Sequence, residues 1–192
     1  MNRHARRTLG KTLRGKTPEE QYAALQMAVN LGWSAEFSED ELRLARDVGA
    51  AATGPFYHGG APGFEPGFIL LPAGQTGAFR KGGTRNVKFQ GETFRYSEDR
   101  KRHVFISTSI PLAEGFAAQA GGDLYRVEPE GDLLGDLEHI RPFLACCKTP
   151  GTEWYKAFKK DGWEGTVRSY VQNVFQYCCP SAKVVQVLRR AA

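Results

Sequence analysis

The sequence predicts an α+β fold, and three observations carry that prediction. Two capped helical segments come first, short apolar strands separated by Gly and Pro follow from Pro55, and no regular strand–helix–strand alternation sets up a parallel sheet. The chain has 192 residues, 41% of them hydrophobic and 24% charged. That is enough for one ordinary core, and it excludes global disorder and a collagen-like repeat.

Local signals justify each element. Thr17-Pro18-Glu19-Glu20 reads as an N-cap, a first-turn proline and the reciprocal glutamate of a capping box. Tyr22, Leu25, Ala28 and Val29 then form an apolar stripe, and Gly32 stops the helix. Ser38-Glu39-Asp40-Glu41 repeats the box, with Leu42, Ala45 and Val48 inward and Gly49 as terminator, so the helical pair ends near Thr53. Strands are expected at 56–58, 68–71, 87–89, 93–96, 104–108, 124–128 and 183–188. A helix should run from Pro111 to the Gly121-Gly122 stop, with further helical stretches at 153–160 and 164–175. Residues 73–91, rich in Gly, Lys and Arg, read as a long mobile loop.

Charge is uneven. Six of the 26 basic residues lie in 1–16 with no acid among them, and the rest of the chain carries 20 basic against 21 acidic side chains. Such an arm can contact a polyanion, although a solvated terminus is the plainer reading. No apolar run approaches the roughly 20 residues that span a bilayer, and the start lacks the apolar stretch of a secretory signal. A cytoplasmic protein with no membrane partner is expected. The four cysteines form two adjacent pairs, Cys146-Cys147 and Cys178-Cys179. Neighbours on a strand face opposite sides, so at most one inward thiol per pair is expected, without disulfides and without a metal site.

Three segments hold candidate chemistry. His58 ends a short apolar strand and precedes Gly59-Gly60, where backbone lacking Cβ atoms suits a flat ligand lying against it. An ordinary turn after a strand-end histidine is the plainer alternative. In the second segment, 103–108, Phe105 and Ser107 share one face and Thr108 follows, which a core strand with a helix cap explains equally. The third, 124–138, is a strand running into an acidic loop. His4 and His139 read as surface residues, and neither a phosphate-binding glycine loop nor a nucleophile elbow is present.

Taken together and in order, FYHGGAPGFEPGFILL, HVFISTSIPLAEGFAA, DLYRVEPEGDL and the weaker AKVVQVL resemble the rifampin ADP-ribosyltransferase group and its actinobacterial and phage relatives. The likeness spans about 56–138 and 180–188. It implies an ADP-ribosyltransferase-like split β-sandwich over 55–192, preceded by a helical extension at 17–54 and the basic arm at 1–16. It further implies transfer of ADP-ribose from NAD with loss of nicotinamide, NAD being a co-substrate and no metal being needed. His58 matches the family histidine that bonds a ribose hydroxyl, and backbone groups of Gly59 would hold the nicotinamide carboxamide. Phe105 stands where the family usually has Tyr, keeping a face for nicotinamide but losing the hydroxyl. Asp136 first, and Asp132 second, match the acid that stabilises the oxocarbenium-like centre or takes the acceptor's proton. The NAD-contacting set is then Tyr57, His58, Gly59, Gly60, Phe105, Ser107 and Thr108.

The acceptor stays open between a rifamycin-like hydroxyl, a protein and a nucleic acid. The basic arm and Arg80, Lys81, Arg85 and Lys88 suit a macromolecule by charge. Two alternatives accompany the transferase reading. One is a non-catalytic NAD-binding or phage interaction module, to which Phe105 points; the other is an NAD-dependent RNA 2′-phosphotransferase.

Overall fold

Ser38 accepts from the Glu41 amide while Glu41 Oε2 accepts from the Ser38 amide at 2.7 Å. This reciprocal cap starts helix α1 (Glu39–Ala51) of the computed structural model, which describes residues 13, 15–17, 20–21, 37–76, 87–89, 92–94 and 102–191. The cap at Thr17 is present too: its amide donates to Glu20 Oε2 at 2.9 Å and its hydroxyl accepts from the Glu20 amide at 3.3 Å. The helix expected beyond Gln21 lies outside the described residues, as do nearly all of the basic arm and Arg80, Lys81 and Arg85. Helix α1 continues two residues past Gly49. That glycine serves packing: a Cβ there would fall 1.7 Å from the Leu133 carbonyl oxygen.

Strand β1 (Phe56–Gly60) is followed by β2 (Ile69–Leu70), the short helix α2 (Ala73–Thr76), and a hairpin of β3 (Val87–Phe89) and β4 (Glu92–Phe94). In the 73–91 segment read as a long loop, 73–76 forms a helical turn, and the strand expected at 87–89 is present. Then come β5 (Val104–Ser107), α3 (Ile110–Ala120), β6 (Asp123–Glu130), β7 (Leu134–Gly135), α4 (Leu137–Cys147), α5 (Glu153–Asn173), β8 (Gln176–Cys179) and β9 (Ser181–Arg189). Ser109 caps α3, and Gly121 at φ 61 ends it, a left-handed conformation that glycine adopts without cost. Gly162, at φ 62 and ψ −146, breaks α5 into the two stretches the sequence indicated.

Seven strands form one antiparallel sheet in the order β2-β9-β6-β1-β5-β8-β7, so the fold is α+β. Where the resemblance implies a split β-sandwich, these seven strands form one continuous sheet with a weak point between β1 and β5. The joint is narrow: β1 and β5 share the single registered pair Tyr57↔Ser107, whereas β1 and β6 share five. One face of the sheet supplies Phe56, Ile106, Tyr125, Val127, Tyr177 and Val184 to a core completed by Leu44, Val48, Ile140, Phe143 and Tyr170 from α1, α4 and α5. Helix α1, which the sequence assigned to a separate extension, therefore shares this core.

All four cysteines are buried, so the expectation of at most one inward thiol per pair does not hold. Cys146 and Cys147 lie on α4, and Cys178 and Cys179 lie on β8 between two other strands with both faces covered. Burial pushes the thiols of Cys147 and Cys179 up to about 12.

Glu41 also faces Arg141 of α4, whose Nε donates to Oε1 at 3.0 Å while its guanidinium sits 4.4 Å over the Phe37 ring. Both side chains are largely buried, so the pair ties α1 to α4 under weak screening. Replacing Glu41 by Gln keeps an acceptor for the Ser38 amide but leaves Arg141 without that counter-charge. We expect Glu41→Gln to lower unfolding free energy by about 2 kcal/mol at constant m-value in a denaturant titration.

Candidate functional site

The narrow joint between β1 and β5 carries Tyr57, His58, Gly59, Gly60, Phe105, Ser107 and Thr108, the expected residues other than the acids. Continuing the Tyr57↔Ser107 register would set Gly59 opposite Phe105, but no registered pair follows. Instead the Phe105 carbonyl accepts from His58 Nδ1 at 2.9 Å. A carbonyl can only accept, so Nδ1 carries the proton and Nε2 presents a lone pair in the neutral ring. Burial holds the His58 pKa below the usual histidine value, against the opposing effect of the Phe105 carbonyl. The imidazole is thus neutral at pH 7, with Nε2 as an acceptor suited to a hydroxyl donor.

The glycines after His58 have internal explanations. A Cβ on Gly59 would meet the Ala113 carbonyl oxygen at 1.9 Å and the Ala117 nitrogen at 2.5 Å, because α3 crosses directly over it. A Cβ on Gly60 would sit 2.4 Å from His58 Nε2, so this glycine makes room for the ring. Neither glycine needs a ligand to account for it. Helix α3 covers Gly59 only from above the sheet, however, and backbone N–H and C=O groups point within the sheet plane. A ligand meeting the Gly59 backbone would therefore come edge-on, from the parted side.

The other expected contacts sort clearly. Tyr57 and Phe105 are partly buried, and alternation puts them with Gly59 on the α3 side of the sheet. Ser107 is buried, and its hydroxyl is occupied: it donates to the Phe175 carbonyl at 2.8 Å and accepts from the Ser109 amide at 2.9 Å. Thr108 donates its amide to the same Phe175 carbonyl at 3.1 Å. Both hydroxyl residues thus help seat the β8 strand start and the α3 cap.

The two expected acids do not reach His58. Asp136 follows β7, the outer strand, and β5 and β8 separate it from β1, a lateral distance of about 14 Å. Its side chain caps α4 by accepting from the Glu138 amide at 2.9 Å, and His139 Nε2 lies 3.7 Å from its other oxygen. Asp132 is exposed in the turn after Glu130, and β6 has by then run five residues past Tyr125, the partner of His58, or about 17 Å. The loop was misplaced because β7 pairs with β8, a contact fixed only by residues far along the chain.

Two residues that the sequence did not single out stand at this joint. Gln176 opens β8 opposite Ser107, completing a cross-strand row Gln186–Arg126–Tyr57–Ser107–Gln176. The polar–apolar change at Gln176-Tyr177 was the available signal, hidden by the helical pattern before it. Asp123 lies opposite Gly60, buried, with its carboxyl held down at about 2 by the Gly63 and Ala191 amides first, then Tyr125 and Arg190. Among the described residues no three His, Cys, Asp or Glu side chains converge as a metal site, and no helix is long and apolar enough to cross a membrane.

Phe175, just before Gln176, has φ 60, and a bulky side chain is strained there. Phe175→Gly is expected to be about 1 kcal/mol more stable than Phe175→Ala, since both lose the ring but only Ala keeps the Cβ clash; paired denaturation curves read the difference. Asp136→Ala should cost about 1 kcal/mol through the lost α4 cap, and Asp136→Asn far less. Thermal melts check this.

No protein-family model matches the chain, and no curated protein matches it in sequence. The functional reading therefore stands on the sequence resemblance together with the geometry around His58.

Proposed function

We propose that the chain binds NAD at the β1–β5 joint and acts as a mono-ADP-ribosyltransferase, the fold being of the ADP-ribosyltransferase-like split type. The observation that carries this reading is the His58 pin. An imidazole bridges two strands at the place where they cease to pair, with its second nitrogen available as an acceptor. In this reading Nε2 accepts from a ribose hydroxyl, the Gly59 backbone meets the carboxamide edge-on, and the Phe105 ring lies beside the nicotinamide. Transfer breaks the ribose–nicotinamide bond, releases nicotinamide with the bonding electron pair, and joins the ribose carbon to an acceptor hydroxyl that gives up its proton. The acceptor class stays between a small-molecule hydroxyl and a macromolecule.

A second reading, an NAD-binding module without transfer, is favoured by the missing acid. Asp132 and Asp136 stand away from His58. The carboxylate that the register does bring close, Asp123, already accepts from two backbone amides and Arg190, with the Tyr125 hydroxyl 3.1 Å away. Phe105 adds no hydroxyl to compensate.

Incubation with NAD separates the two. The transferase reading expects nicotinamide release above blank and labelling of an acceptor by biotinylated NAD. His58→Ala should weaken NAD binding by about tenfold, the equivalent of one hydrogen bond near 1.4 kcal/mol, with release falling alongside. Binding without release supports the module, and absence of binding overturns both.

A further inference from the structure

The 61–65 loop, which follows His58-Gly59-Gly60, is tied down by residues that come from the far end of the described chain. The Gly63 amide donates to Asp123 Oδ2 at 2.9 Å, the Phe64 amide donates to the Tyr125 hydroxyl at 3.2 Å, and that hydroxyl donates to the Ala61 carbonyl at 2.8 Å. Arg190, in the two residues following β9, donates to the same Asp123 Oδ2 at 3.2 Å and also to Glu65 within the loop. The Ala191 amide donates to Asp123 Oδ1. Asp123 is 1% exposed and Arg190 46%, so the anion is fixed inside while its cation arrives from the surface. The Tyr125 ring, in turn, stacks on His58 with centroids 6.5 Å apart and planes 23° apart.

We propose that Asp123 and Arg190 form a latch that holds the 61–65 loop against Tyr125 and so positions the His58 ring. Two features point to a positioning device. Three donors, the Gly63 and Ala191 amides and Arg190, converge on one buried carboxylate with the Tyr125 hydroxyl 3.1 Å away, which orders three separate segments about a single point. And Tyr125, which joins that carboxylate to the loop, is also the stacking partner of His58. With its pKa near 2, Asp123 is charged throughout the neutral range. Its contribution is complete above the unfolded carboxylate pKa and is lost as pH falls toward about 2. Salt is the more accessible lever on the exposed half of the latch.

The binding consequence rests on the NAD reading, whereas the latch itself is testable without NAD. Amide hydrogen exchange on the full chain compares the native protein with Arg190→Ala and with Arg190→Lys, which retains the charge. The expected result is a tenfold or larger loss of protection confined to peptides covering 61–65 in Arg190→Ala. Core strands β6 and β9 should be unaffected, and Arg190→Lys should recover part of the protection. Unchanged exchange at 61–65 would overturn the latch, and so would a loss spread evenly over the sheet. Titration with NAD then gives the second readout. A several-fold weaker Kd in Arg190→Ala, with nicotinamide release per bound NAD unchanged, supports positioning, whereas an unaltered Kd beside a loosened loop overturns it. If the native protein fails to bind NAD, the functional reading falls, while the exchange data still decide whether the latch holds the loop.

Discussion

The structure turns on the bond between His58 Nδ1 and the Phe105 carbonyl. β1 and β5 are neighbours in the sheet, yet only Tyr57 and Ser107 sit in register, and beyond that pair the ladder stops. Parted strands leave backbone groups that must find other partners, because unpaired polar groups away from water are costly. The imidazole supplies one such partner for β5. The same bond fixes the tautomer, and with it the character of the nitrogen left over. Helix α3 contributes from above: lying on Gly59, it occupies the volume that a side chain on β1 would otherwise fill. A joint that is closed above and pinned at one point allows the two halves of the sheet to part only along their edge.

Much of this architecture could be read in advance, for local reasons. The capping box at Ser38–Glu41, the α3 helix between its proline and Gly121, and the strand at β6 each depend on side chains within a few residues of each other, which composition and spacing expose directly. The α5 break at Gly162 belongs to the same class. What escaped depends on distant pairing. β7 is two residues long and exists as a strand only because Cys178 and Tyr177 face it. Helix α4 begins with an acidic cap, Asp136, and an acid in its first turn, but Pro142 inside it and the acids before it gave the segment the look of a loop.

The candidate site shows the same division. His58, Gly59 and Phe105 lie on neighbouring strands, and the link between them is the His58 bond to the Phe105 backbone, the Phe105 side chain standing on the α3 face with Gly59. The acid does not join them, because sequence order had put it after β6 while the sheet sends the chain from β6 to the opposite edge. The glycine signal was genuine but had another origin: Gly59 and Gly60 accommodate a helix and the histidine ring. A run of small residues beside a polar ring is thus compatible with tight internal packing as well as with a ligand. Asp123, the buried acid near His58, gave no local sign beyond standing at the start of an apolar strand.

The four thiols carry a practical consequence. All four are buried, which withholds them from alkylating reagents, and burial further keeps Cys147 and Cys179 in the unreactive thiol form at neutral pH. Since Cys146 and Cys147 report on α4 and Cys178 and Cys179 on β8, each pair becomes reactive only when its own element opens to solvent. Native cysteines placed in this way serve as built-in clocks for local opening, one on a helix and one on a strand flanking the joint, without any label having to be introduced.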